Sequence, residues 1–219
     1  MTVEKGDMVL VDYVGRTGGE IFDLTDEEVA EEKGVKSDSL DYQPIPVLVG
    51  ENYVIEGFEE ALEGMEIGEE KTIEVPSEKG YGERSSEKVE TYPEKEFKKQ
   101  GVNVRPGEEI MIGNQRGRVI STGSGRVRID FNHPLAGKDL EYDIKVVEKV
   151  EDDEEIAENI YSYRVGHGDD AEFEDGTVKI PKAHSHGDHV HELPEQLREE
   201  LKEEIEKYTD LEVEFTEPE

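Results

Sequence analysis

Val11-Asp-Tyr-Val-Gly-Arg-Thr-Gly-Gly-Glu-Ile-Phe-Asp-Leu-Thr25 and Val47-Leu-Val-Gly-Glu-Asn-Tyr-Val-Ile-Glu-Gly-Phe-Glu-Glu-Ala-Leu-Glu-Gly-Met-Glu-Ile-Gly68 are the two stretches that decide the fold. Leading into the first, Met8–Val14 sets Met8, Leu10, Asp12 and Val14 against Val9, Val11 and Tyr13, a strand pattern with both faces partly apolar. Gly18-Gly19 turns the chain into Glu20–Leu24, so the pair reads as a hairpin. In the second stretch, Phe58, Ala61 and Leu62 at i, i+3, i+4 between Gly57 and Gly64 describe a short helix with one inward face. Lys71–Pro76 alternates at period two, as does Glu141–Val150 with one slip, and both extend the same sheet. Asp26–Lys33 reads as a surface helix capped by Thr25 and stopped by Gly34. The two stretches fit together as walls and floor of one aromatic pocket that contains no nucleophile.

Composition bounds the possibilities. The 219 residues suit one large domain or two to three small ones, and with 33% apolar residues and no Trp any core is divided among compact modules. No run approaches the roughly 18 apolar residues of a membrane span, and Met1–Asp7 lacks the apolar run and basic flank of a signal peptide. The absence of Cys removes disulfides, thiol nucleophiles and Cys-type zinc sites. The expectation is a cytoplasmic protein without membrane partners. A net charge of −33 opposes general nucleic-acid binding, which needs a basic footprint. Such charge also suits solubility in high salt, where long-range repulsion is screened, so a salt-accumulating source is one reading of it.

The charge is uneven. Residues 84–130 hold ten basic residues against seven acids, a slightly basic block within a strongly acidic chain. Glu94–Gln100 reads there as a helix ending at Gly101, and Glu109–Ile112, Gly117–Ser121 and Arg126–Phe131 as strands separated by Gly-rich turns. Beyond Val150, Ala157–Val165 reads as helix, Ala171–Asp175 and Thr177–Pro181 as a hairpin about Asp175-Gly176, and Leu193–Tyr208 as the clearest helix, with Leu197, Leu201, Ile205 and Tyr208 on one side. Leu211–Phe215 closes as a strand.

In order, type and spacing the two opening stretches, with Gly80-Tyr-Gly82, resemble the FKBP-type peptidyl-prolyl isomerases. The block at 84–130 falls where SlyD-like bacterial and archaeal members carry an inserted flap. The resemblance to long archaeal members is looser over 151–219. It implies an α+β chain: an FKBP-like antiparallel sheet wrapped on a short helix (1–83 plus 131–150), a small β-rich flap domain (84–130) and a C-terminal α+β domain (151–219). Carried over position by position, it implies site residues Tyr13, Phe22 and Asp23 from the hairpin. Val54 and Ile55 form the loop whose backbone meets the ligand, and Phe58 the floor, where many eukaryotic relatives have Trp. Tyr81, Leu135 and Tyr142 close the site, Tyr142 adding a hydroxyl where Phe is common. Asp23 beside buried rings needs a partner, and Tyr13 is the expected one. His133 reads as a structural turn residue.

The implied activity is rotation of X–Pro bonds in unfolded or partly folded polypeptides, with a chaperone role for the flap and no required cofactor. Two rivals stand beside it: a holdase with a vestigial pocket, and a nickel- or zinc-handling protein. The second rests on His184-Ser-His-Gly-Asp-His-Val-His191, four His and one Asp within eight residues. His184, His186, His189 and His191, with Asp188 as an optional oxygen ligand, suit Ni²⁺, Zn²⁺ or Cu²⁺; a solvated loop is the alternative. A homodimer through the C-terminal domain is a further arrangement open to the chain.

Overall fold

The computed structural model describes residues 1–38, 40, 42–166, 171–186 and 189–217, the side chains of 184–186 and 189–191 excepted. In chain order it forms β1 (Met8–Thr17), β2 (Glu20–Leu24), α1 (Glu27–Lys33), β3 (Ile45–Leu48), α2 (Glu56–Leu62) and β4 (Glu70–Val75). There follow β5 (Val89–Pro93), α3 (Glu94–Lys99), β6 (Glu109–Ile112), β7 (Gln115–Gly123), β8 (Arg126–Asp130) and β9 (Leu140–Val150). The chain ends with α4 (Asp153–Val165), β10 (Glu172–Glu174), β11 (Thr177–Pro181), β12 (Ala183–His186), β13 (His189–Glu192), α5 (Glu195–Tyr208) and β14 (Glu212–Thr216). The class is α+β, as the sequence implies. By its contacts the chain divides into two compact units: residues 1–16, 20–73 and 142–219 in one, and 17–19 and 74–141 in the other.

In the first unit the sheet runs β2-β1-β9-β4, with β3 pairing antiparallel to β1 in a register that sets Met8 opposite Leu48 and Val11 opposite Ile45. The strands bury Val9, Val11, Val47 and Val146 completely, and α2 contributes Phe58 and Leu62. β3 escapes the sequence reading because Pro46 interrupts its apolar run; proline donates no ladder hydrogen bond and is confined to edges.

α1 is capped by Asp26 rather than Thr25. The Asp26 carboxylate accepts from the Val29 amide at 3.0 Å, and Gly34 ends the helix in the left-handed region at φ 69°. The Thr25 hydroxyl is engaged elsewhere: it accepts from the Tyr13 amide at 2.9 Å and donates to Asp12 at 2.8 Å, locking the hairpin.

The C-terminal residues belong to the first unit. α4 starts at Asp153, ahead of the expected Ala157, because the Asp152 carboxylate caps it by accepting from the Glu154 and Glu155 amides, both at 3.1 Å. β10 and β11 form the expected hairpin through Asp175-Gly176, both at positive φ, and β14 adds to β11 in parallel. In the His-rich segment, for which a solvated loop was the alternative to a metal site, β12 and β13 pair antiparallel in a backbone register that sets His184 opposite His191 and His186 opposite His189. Short polar strands carry no apolar alternation, so periodicity does not reveal them.

The second unit holds a four-stranded sheet ordered β5-β8-β7-β6 over a small core of Val104, Val119, Val127 and Ile129. Phe97, Ile110, Ile112 and Phe131 pack against that core, while Val102 and Met111 are exposed. At Gly117 a Cβ would meet Ile129 and Phe131 at 2.5–2.7 Å, so only glycine lets β7 lie against those side chains.

Candidate active site

The pocket residues converge because β1, β2, α2 and β9 each deliver one ring. Tyr142, 4% exposed, is the hub. Its ring meets Phe58 at a centroid distance of 5.1 Å, Phe22 at 5.7 Å and Tyr13 at 5.9 Å, with interplanar angles of 65–87°. Tyr13 and Phe58 meet edge to face at 5.6 Å. Such contacts each contribute about 0.5–1.5 kcal/mol beyond burial, because the positive ring edge faces the negative π cloud of its neighbour. Phe58 is buried at the base of this group, whereas Phe22 and Tyr13 are half-buried.

The expected partner of Asp23 is found. The Tyr13 hydroxyl donates to its carboxylate at 2.6 Å. Asp23 itself is exposed, so the bond orients the Tyr13 ring and does not rescue a buried charge.

Gly15, which the sequence reading did not single out, makes the ring cluster feasible. A Cβ there would lie 2.8 Å from the Phe22 ring and 2.9 Å from the Tyr142 ring. A glycine inside an otherwise regular strand was the available signal.

Val54 and Ile55 precede α2, with Ile55 as its N-cap; the Ile55 carbonyl accepts from the Phe58 and Glu59 amides at 2.9 and 3.0 Å. The loop before them is fixed on two sides. Asn52, in the left-handed region at φ 60°, donates its amide to Glu59 at 2.9 Å. Tyr53 is buried and stacks on Tyr163 of α4 at 3.8 Å and 13°.

Tyr81 and Leu135 belong to the second unit. There the Tyr81 ring, 37% exposed, lies flat on the His133 imidazole at 4.0 Å and 4°. The Leu135 amide donates to His133 Nδ1 at 3.2 Å. That bond requires an unprotonated Nδ1, and burial moves the His133 pKa below its ordinary value, in the same direction. The expected turn role for His133 thus comes with a stacking partner that spacing does not reveal. His184, His186, His189 and His191 lie outside the residues whose side chains are described, and Asp188 outside the described residues altogether. Among the described residues no helix is long and apolar enough to cross a membrane.

Residues 1–147 match the model of the FKBP-type peptidyl-prolyl cis-trans isomerases. The chain is 41% identical over 144 residues to a short-type peptidyl-prolyl cis-trans isomerase of Methanocaldococcus jannaschii, an alignment covering 66% of this chain and 92% of that protein. It is 33% identical over 152 residues to the isomerase SlyD of Haemophilus influenzae, covering 67% of this chain and 72% of that protein. The chain belongs to the FKBP-type peptidyl-prolyl cis-trans isomerase family and is, with it, an isomerase of X–Pro bonds.

Proposed function

We propose that the chain rotates X–Pro bonds of unfolded or partly folded polypeptides at Tyr13, Phe22, Asp23, Val54, Ile55, Phe58 and Tyr142, with Tyr81 and Leu135 as the further site residues that the family resemblance implies. The observation that carries this reading is the convergence of three rings on Tyr142 with the Tyr13–Asp23 bond beside them. Rotation about the amide faces a barrier of about 18–20 kcal/mol because resonance makes the C–N bond partly double. An apolar surface that takes up the proline ring strips water from the planar, charge-separated form and accepts the twisted one. Binding that is stronger for the twisted state lowers the barrier without any covalent step. The buried Phe58 and Tyr142 rings suit such a floor, and the Val54–Ile55 backbone would align the peptide. Uncatalysed exchange takes tens to hundreds of seconds, so an isomerase acting on folding chains is useful. Exchange on a short X–Pro peptide tests the assignment: Asp23→Ala frees the Tyr13 ring and should lower the rate, and an unchanged rate removes Asp23 from the site.

The domain division we propose is 1–83 with 131–150 as isomerase, 84–130 as flap and 151–219 as C-terminal domain. The flap would act as the chaperone part, holding unfolded chains; its small core and the exposed Val102 and Met111 support that role. A second reading has one specific support. The hairpin register sets His184 against His191 and His186 against His189, the cross-strand arrangement that would gather imidazoles for Ni²⁺, Zn²⁺ or Cu²⁺. We read this as a metal function additional to the isomerase. A cytoplasmic location and a homodimer through residues 151–219 complete the proposal.

A further inference from the structure

The segment that leads into Val54–Ile55 is gripped by residues from the other end of the chain. Glu204 of α5 is 7% exposed, and its carboxylate takes both the Nε and Nη2 hydrogens of Arg164, at 2.7 and 3.0 Å. The Tyr53 hydroxyl donates to the same carboxylate at 3.3 Å. The Arg164 guanidinium lies 5.7 Å from the Tyr53 ring centre and 5.6 Å from that of Tyr163, so one cation covers the stacked pair. Tyr163 completes the grip by donating its hydroxyl to the Tyr53 carbonyl at 3.2 Å. Two residues upstream of Tyr53, Glu51 accepts from Lys207 at 2.8 Å and from the Tyr208 hydroxyl.

We propose that Arg164, Glu204 and Tyr163 are positioning residues for the isomerase, holding Tyr53 so that the Val54–Ile55 backbone is presented in a fixed place. The inference rests on the reading that this backbone meets substrate. The argument is one of geometry. Asn52 occupies the left-handed region, which asparagine tolerates better than other side-chain-bearing residues, so the loop turns sharply just before Tyr53. Glu59 holds the Asn52 amide from α2, and the opposite side of the loop is held through Tyr53, through Glu51 and through the Asn52 carbonyl, which accepts from the Tyr163 hydroxyl at 3.4 Å. A buried ion pair adds little net stability, since desolvating both charges offsets their attraction, whereas it fixes direction strongly. Burial, with Glu204 beside it, pushes the Tyr53 phenol up, so Tyr53 remains a donor throughout the working pH range. A misplacement of order 1 Å at a site that works by alignment costs up to about 100-fold. Residues 151–219 therefore act on catalysis without touching the substrate.

The test uses the full chain and a short X–Pro peptide, with three variants: Arg164→Met/Glu204→Leu, Tyr53→Phe, and Phe22→Ala as pocket reference. The double variant replaces the ion pair by apolar groups of similar volume, which is often neutral for stability. Thermal midpoints, kcat and KM separately, and the Ile55 amide resonance are recorded for each. The inference predicts that the double variant keeps its midpoint within a few degrees, shifts the Ile55 amide and loses at least fivefold in kcat/KM, mostly in kcat. Tyr53→Phe, which removes one hydroxyl, should lose about half as much on a logarithmic scale. Unchanged kcat/KM in both variants, with Phe22→Ala impaired, overturns the positioning role and leaves the pocket reading standing. Unchanged kcat/KM in Phe22→Ala as well removes the pocket reading, and the inference with it. Should the double variant fail to fold, Tyr53→Phe decides alone by the same criteria.

Discussion

Gly15→Ala tests the ring cluster at its tightest point. The added Cβ would sit 2.8 and 3.1 Å from two Phe22 ring atoms and 2.9 Å from a Tyr142 ring atom. Carbon atoms approach comfortably to about 3.5–4.0 Å, so the new Cβ needs roughly 0.7 Å more room on each side, from a ring that retreats or from the strand backbone that shifts. Tyr142 is buried and held by three ring contacts, so the half-buried Phe22 is the ring that moves. Overpacking of this kind costs about 1–3 kcal/mol, and swinging Phe22 out forfeits an edge-to-face contact of about 0.5–1.5 kcal/mol. If about 1.4 kcal/mol of that is lost from the twisted state, kcat/KM falls about tenfold. The unfolding midpoint should fall by about 2–4 °C for each kcal/mol lost. Exchange on a short X–Pro peptide, below the variant's unfolding range, reads the catalytic part alone. Gly123→Ala is the control, because nothing lies within 4 Å of its Cβ position. Wild-type kcat/KM in Gly15→Ala would refute the claim that the Phe22–Tyr142 contact shapes the catalytic surface.

Replacing residues 84–130 with a short Gly-containing loop should leave exchange on short peptides within a few fold and collapse the rate on unfolded proteins, since the flap supplies binding energy remote from the rotating bond; refolding of a proline-limited protein against a peptide assay checks it. The Glu51 carboxylate is held below its ordinary range by Lys207 and Tyr208. Its stabilising contribution is therefore present above about pH 4.5 and lost as pH falls through the lower folded value, so Glu51→Gln should flatten the acid limb of a pH–midpoint profile. His133 is shifted down by burial, so below about pH 6.5 the unfolded state binds the proton first and stability declines as pH falls toward the lower folded value; His133→Phe should remove that slope below about pH 6.5. Calorimetry with Ni²⁺ and Zn²⁺ should show binding that weakens as pH drops through roughly 6.5 and disappears when His184, His186, His189 and His191 are all Ala, neutral imidazole being the ligand form.

What sequence reveals here follows from how local each determinant is. Strands bounded by glycine turns, such as β1 and β2, announce themselves through alternation, and Tyr13, Phe22, Phe58 and Tyr142 carry the family's spacing. The Tyr13–Asp23 bond was legible because it spans a single hairpin. β5 was not, because Val89-Glu-Thr-Tyr-Pro93 mixes charge and proline and earns its place only against β8. Asp26 displaced Thr25 as cap because the Thr25 hydroxyl bonds a neighbouring strand, which no helix pattern encodes. The grip on Tyr53 joins residues 110 and 151 positions apart. One signal for it was present: Glu204 lies on the stripe shared by Leu201 and Ile205, where a lone buried carboxylate requires a cationic partner.

The central claim is that X–Pro rotation depends on the aromatic surface. The Phe22→Ala/Tyr81→Ala double variant tests it most directly, because Phe22 is half-buried and Tyr81 exposed, so their loss should leave the chain folded. Exchange on a short X–Pro peptide, measured by NMR at a temperature where both proteins are folded, should fall at least tenfold relative to wild type. Full activity in the double variant would contradict the site assignment.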